Sequence, residues 1–218
     1  MNILLVVATP FEIAPLIEKC SEVGYNDQGL PYYHLGNCKF TLLVTGVGMV
    51  PTAFALGKYI NNTYNFALNI GIAGSFSREL AIGTVVQVDK DCFGELGAED
   101  GDDFLTIDQL GFGTNTITNT SQFPANTILE KLPRVNGITV NKAHGNDRSI
   151  EAIQAHFHPI TESMEGAAFL FACKHSNVPC IQLRAISNYI EKRNRAAWNI
   201  PLAIQNINTT LQNLLLAF

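Results

Sequence analysis

Charge is scarce in this chain, and positive charge most of all. Of 218 residues, 15% are Asp, Glu, Lys or Arg, and 14 basic residues face 19 acidic ones, for a net charge of −5. Nucleic acids and anionic membranes select basic stripes, so neither is an expected partner. Disulfide signals are missing too. The five cysteines (Cys20, Cys38, Cys92, Cys173, Cys180) are odd in number and no two form a CxxC, which reads as reduced core thiols in a cytoplasmic protein. No apolar run approaches the roughly 20 residues of a membrane span. The N-terminal "MNILLVVATPFE" has an apolar run too short for a signal sequence, with no basic residue before it. Two glycine signatures are incomplete. "GVGMVP" (46–51) lacks the third glycine of a dinucleotide fingerprint, and "GIAGSF" (71–76) lacks the Lys-Ser/Thr of a phosphate loop. His34, His144, His156, His158 and His175 form no helical metal pair, so no metal and no cofactor is expected.

What the chain does have is apolar bulk. At 47% hydrophobic it can bury one sizeable core, and its length predicts one domain over 1–218. "NILLVVA", "FTLLVT", "FALNI" and "CIQLRAI" are apolar on both faces and run into small or turn residues, the pattern of central strands covered by helices. "GTVVQV" (83–88) and "GITV" (137–140) add shorter strands. Helical stretches at 10–20, 50–61, 149–157, 164–175 and 196–217 alternate with them, which predicts an α/β fold. Residues 91–126, rich in Gly, Asp, Asn and Thr, read as a long excursion of the kind that forms lids or subunit contacts.

In open α/β sheets ligands sit beyond the carboxyl ends of the strands, which directs attention to the residues just after each run. Glu12, in "ATPFE", closes a capping box with Thr9 as N-cap and Pro10 at the first helical position. Glu165, in "SMEGAA", suits the first turn of a helix. Burying a carboxylate beside Met164, Ala167 and Ala168 nevertheless demands a compensating partner. Asn188 reads as a strand-exit turn residue. Gly46–Gly48 and Ile72-Ala73-Gly74 read as tight turns, or as places where a ligand approaches the backbone. "EKRNR" (191–195) reads as a solvated segment or, through Arg193 and Arg195, as an anion clamp.

Taken together, "ATPFE", "TGVG", "NIGIAG", "SMEGAA" and "LRAISN", in this order and spacing, resemble the purine nucleoside phosphorylase and nucleosidase superfamily, and its hydrolytic branch in particular. "FGELGAE" (93–99) and "SNYIEKRNRAAWNIPLAI" (187–204) resemble its futalosine hydrolases. The resemblance implies a three-layer fold, a central mixed sheet flanked by helices, and a homodimer acting on a nucleoside. It implies that Glu165 binds the ribose hydroxyls, Met164 packs on the sugar, and Glu12 is the general base for water. The Ile72-Ala73-Gly74 backbone would flank base and ribose, and Arg193 or Arg195 would meet the benzoate of futalosine. Related phosphorylases carry a phosphate-binding arginine in the register of Asn69, so an asparagine there implies water as the nucleophile. Where 6-aminopurine nucleosidases carry aspartate, Asn188 implies a 6-oxo preference, since an amide donates but holds no acidic proton.

Overall fold

The long apolar runs fold as strands and the stretches between them largely as helices. The computed structural model describes residues 1–101, 103–119, 121 and 127–217. Among these the strands are β1 (Asn2–Val7), β2 (Ser21–Tyr25), β3 (Pro31–Leu35), β4 (Cys38–Val44), β5 (Phe66–Ser75) and β6 (Val85–Phe93), followed by β7 (Gly97–Asp100), β8 (Asp103–Thr106), β9 (Thr116–Thr118), β10 (Arg134–Thr139), β11 (Thr161–Ser163) and β12 (Cys180–Tyr189). The helices are α1 (Ala14–Ile17), α2 (Met49–Tyr59), α3 (Asp147–Phe157), α4 (Gly166–His175) and α5 (Ile200–Leu216).

The main sheet runs β11-β10-β6-β12-β5-β1-β4-β3-β2, with β9 added to β6. It is mixed: β1 pairs parallel with β4 and β5, and β5 with β12, whereas β12–β6 and β3–β4 are antiparallel. Strand β11 pairs with β10 on one side and with the end of β5 on the other. The strands β5, β12, β6, β10 and β11 therefore close into a ring, which removes edges and carries β11 to the carboxyl end of β5. Alternate residues of β1 feed two cores. Ile3, Leu5 and Val7 meet Ala203, Ile207, Leu211 and Leu214 of α5, while Leu4 and Val6 face Leu56 of α2 and Phe169, Leu170 and Cys173 of α4. Each such side chain, once fully buried, contributes about 1.5–3 kcal/mol, and the result is the expected three layers. All five cysteines are free thiols. Among the described residues no helix is long and apolar enough to cross a membrane.

Prolines divide two of the expected helices. The 10–20 stretch becomes a 3-10 turn, Pro10–Glu12, and the short α1, because Pro15 has no N–H to continue the first turn. Residues 196–217 become a 3-10 turn, Arg195–Ala197, then α5, which restarts with Pro201 in its first turn and the Asn199 side chain accepting from Leu202 N–H at 3.1 Å. The excursion carries the end of β6 and then β7, β8 and β9, with residues 102, 120 and 122–126 of it outside the described residues. The exposed β2, the short β3 with its Pro31 and His34, and the polar β11 offered no long apolar run to find.

Candidate active site

Glu12 ends the 3-10 turn into which β1 runs, and it is 9% exposed. Its Oε2 accepts from the backbone N–H of Thr9 at 2.9 Å and of Ala8 at 3.0 Å, the return bond of a capping box. Its Oε1 lies against β5: a Cβ on Gly71 would sit 2.7 Å from it and 3.4 Å from Arg184 Nη1. The capping and functional readings of Glu12 are thus compatible, because one oxygen caps and the other faces β5. Burial pushes the Glu12 pKa up, against the Thr9 N–H and the Arg184 charge. Glu165's charge adds to the rise, and the Ile72 backbone works against it. A carboxylate so placed holds a proton more firmly than one in water, which suits a general base.

Beneath it runs a buried polar network. Arg184 is 1% exposed, with Nη2 donating to Asn69 Oδ1 at 2.6 Å and Nη1 to Leu183 O at 3.3 Å. Asn69 in turn donates from Nδ2 to Val6 O at 3.0 Å. Asp91 accepts from Thr139 Oγ1 at 2.9 Å and Gln182 Nε2 at 3.0 Å. Burial lifts its pKa to about 6, with those two bonds and the Arg184 charge opposing the rise. Helix α4 starts directly on this network: a Cβ on Gly166 would lie 2.2 Å from both Asp91 Oδ2 and Gln182 Nε2. Glycine at 166 is therefore what lets Glu165 come this close.

Glu165 is the N-cap of α4 and makes no capping bond with its side chain. Its Oε1 accepts instead from the N–H of Gly48, at 3.0 Å. Glu165 thus stands at the start of the helix as expected, one position before its first turn, and the compensating partner its burial demands is a backbone N–H. One oxygen is held by the loop after β4, where Gly46 and Gly48 take φ of 90° and 103°, values open to glycine. The other oxygen makes no bond among the described residues.

Two expected turns are strand. Ile72, Ala73 and Gly74 continue β5, and Asn188 lies inside β12, just past a register shift between Ile186 and Asn188. Closure of the ring extends both strands beyond their apolar runs. Asn188 Oδ1 accepts from Ser187 Oγ at 2.8 Å and Nδ2 donates to Tyr189 O at 3.0 Å, which leaves one amide N–H without a partner among the described residues. Gly74, Met164, Asn188 and Arg193 line one cleft of about 130 Å³, together with His144 and Glu162. The Arg193 guanidinium stands 5.4 Å over the Trp198 ring, whereas Arg195, on its exposed 3-10 turn, does not line the cleft. The sequence singled out neither Arg184, hidden inside an apolar run, nor the His144–Glu162 pair, in which Nδ1 meets Glu162 Oε2 and the His144 backbone N–H donates to Oε1 at 2.9 Å. Only an assignment of β11 would have found Glu162. Among the described residues, no three His, Cys, Asp or Glu side chains group as metal ligands.

A family model described as the phosphorylase superfamily matches residues 2–135. The futalosine hydrolase of Streptomyces coelicolor is 30% identical over 176 residues, covering 75% of this chain and 73% of the relative. That of Thermus thermophilus is 31% identical over 184 residues, covering 81% of each. Among solved structures, the native futalosine hydrolase of Helicobacter pylori has a TM-score of 0.81 at 17% identity, covering 100% of this chain and 98% of that one. The 5'-methylthioadenosine/S-adenosyl homocysteine nucleosidase of the same organism has a TM-score of 0.82 at 17% identity, covering 100% and 99%. These two structural likenesses establish the nucleosidase-like fold.

Proposed function

The chain belongs to the phosphorylase superfamily, and from that premise we propose that it hydrolyses the N-glycosidic bond of a 6-oxopurine nucleoside. Futalosine is the proposed substrate, giving hypoxanthine and dehypoxanthine futalosine, a step of menaquinone biosynthesis. The curated relatives at about 30% identity, all futalosine hydrolases, support that choice.

The observation that carries the reading is the pair of buried carboxylates, Glu12 and Glu165, near enough for one charge to raise the pKa of the other. A nucleoside losing its base develops positive charge on the sugar, and two carboxylates stabilise that charge only as it appears. Glu165, with one oxygen held by Gly48, accepts from the ribose hydroxyls while Met164 packs on the sugar. Glu12 Oε1 takes a proton from water as the water oxygen bonds to the anomeric carbon. The electron pair of the broken bond leaves with the purine, which Asn188 stabilises through its free N–H. The backbone of Ile72, Ala73 and Gly74 flanks base and ribose. Phosphate is disfavoured as the nucleophile. A dianion would meet two carboxylates, and Arg184, the cation whose charge reaches Glu12, is bound to Asn69 and 1% exposed.

Arg193, which lines the cleft, is the proposed partner of the benzoate, with Arg195 the less favoured candidate. The whole of 1–218 is read as one domain, in a cytoplasmic homodimer. Val50, Phe54 and Phe112, at 74%, 75% and 80% exposure, supply apolar surface of the kind a subunit interface covers. A substrate panel tests the reading: futalosine, 6-aminofutalosine, inosine and methylthioadenosine, with base release followed by chromatography. Futalosine should be cleaved best. Cleavage of either 6-amino nucleoside at least as well as futalosine contradicts the assignment.

A further inference from the structure

Strand register sets three residues in a row across β11, β5 and β12. Glu162 pairs with Gly74, and Gly74 with Asn188. In-register neighbours present side chains to the same face, with strands about 4.7–4.9 Å apart, so Glu162 and Asn188 flank Gly74 across about 10 Å. Both line the same cleft, and so does His144.

Glu162 grips His144 at two points, through the ring Nδ1 and through the backbone N–H at 2.9 Å. A carboxylate accepts and does not donate, so the ring carries its proton on Nδ1. The clamp fixes both tautomer and ring orientation, as the second partner of a functional imidazole does elsewhere. In the neutral ring Nε2 then bears a lone pair. It has no hydrogen-bond partner among the described residues, and it is not one of the unpartnered atoms sealed from solvent. Asn188 supplies the opposite polarity, a donor, since one of its Nδ2 protons has no partner among the described residues while Ser187 Oγ lies against its Oδ1.

We propose that His144, clamped by Glu162, determines base specificity by accepting the N1–H of a 6-oxopurine while Asn188 donates to the 6-oxo oxygen. An acceptor and a donor lining one cleft match hypoxanthine, which offers a donor at N1 and, next to it, an acceptor at position 6. Adenine reverses both, so each contact becomes lone pair against lone pair or donor against donor. Sites built on hydrogen bonds reject the wrong base far better than apolar pockets do. The inference rests on the reading of the cleft as the base site of a nucleosidase and adds to it a residue that reads the ring. Glu162 is a positioning residue, acting through His144.

Free bases test this without turnover. Calorimetric titration with hypoxanthine, 1-methylhypoxanthine and adenine should show the wild type binding hypoxanthine about tenfold or more tightly than the other two, the worth of one buried hydrogen bond and its unpaired alternative. His144→Leu should weaken hypoxanthine about tenfold and bring the three ligands within a few-fold of one another. Glu162→Gln, which keeps the volume but releases the tautomer, should narrow the hypoxanthine-to-adenine ratio as well. Circular dichroism checks folding, and if His144→Leu does not fold, Glu162→Gln and the wild-type series decide. An unchanged ratio in the folded variants overturns the inference. So does a wild-type preference for adenine, which places a proton on Nε2, and so does the binding of no base at all. Base release from futalosine by the same wild-type preparation separates the two levels. Release with an unchanged ratio removes only the role of His144, and no release removes the proposed hydrolysis.

Discussion

Replacing Glu12 with glutamine should separate catalysis from stability in opposite directions. The amide oxygen can take the place of Oε2 and keep the bonds from Ala8 and Thr9, at 3.0 and 2.9 Å. The NH₂ then stands where Oε1 faces β5, and it cannot accept a proton from water. General-base catalysis is typically worth a factor of roughly 10²–10⁴, so single-turnover base release should slow by that much while nucleoside affinity stays within a few-fold. Stability should move the other way. Burial raises the Glu12 pKa even with Arg184 and two backbone groups opposing it, so the folded protein favours the protonated form. That contribution is fully present below the unfolded carboxylate's pKa and is lost as pH rises through the folded one. The wild type loses it progressively as pH rises, and an uncharged glutamine does not. Thermal melts of Glu12→Gln should therefore lie above wild type at pH 7 and converge with it near pH 4. Near-normal turnover would return Glu12 to a capping role alone, and a melting temperature below wild type at pH 7 would refute the electrostatic half.

Gly71→Ala places a methyl 2.7 Å from Glu12 Oε1; it should cost about 1–3 kcal/mol of stability through overpacking and slow turnover about a hundredfold through misplacement, and denaturant melts and kcat close to wild type would show that Oε1 can move freely. Asn188→Asp should shift kcat/KM toward 6-aminofutalosine, whose exocyclic amine an aspartate can accept; an unchanged 6-oxo to 6-amino ratio counts against the role of Asn188. Arg193→Ala should weaken futalosine about fivefold, the worth of an exposed ion pair, and leave inosine nearly unaffected; equal effects on both remove the benzoate clamp. Asp91 rises from 3.8 to about 6 on burial. At about 1.4 kcal/mol per pKa unit the wild type should lose up to about 3 kcal/mol from this group between pH 4 and 6. Asp91→Asn should remove that part of the slope, with Gln182 Oε1, which has no partner among the described residues, turning to accept from the new amide; an unaltered slope by chemical denaturation contradicts it.

What the sequence made legible was what buried apolar strands advertise. β1, β4, β5 and β12 stand out because both their faces are largely covered, β6 and β10 through their apolar halves, and the residues after them bracket the site. Glu12 and Glu165 were visible as charges at the mouths of apolar segments. Their partners were not, because Gly48 lies 117 residues from Glu165, and a backbone N–H has no signature in a side-chain pattern. Arg184 lay in plain sight within "LRAISN", but local patterning does not distinguish a buried cation bound to Asn69 from a strand residue turned to solvent. The ring closure through β11 was hidden for a different reason. A three-residue strand, Thr161–Ser163, carries no periodicity, and with it went the extension of β5 and β12, the true setting of Asn188, and the pairing of Glu162 with His144.

The most direct test of hydrolysis by water is base release from futalosine by purified protein in phosphate-free buffer and again with added phosphate, with the sugar product analysed in each. Equal rates of hypoxanthine release, and a free reducing sugar in both, are what two buried carboxylates around an attacking water predict. A strict requirement for phosphate, with a sugar phosphate as product, would contradict the account at its centre.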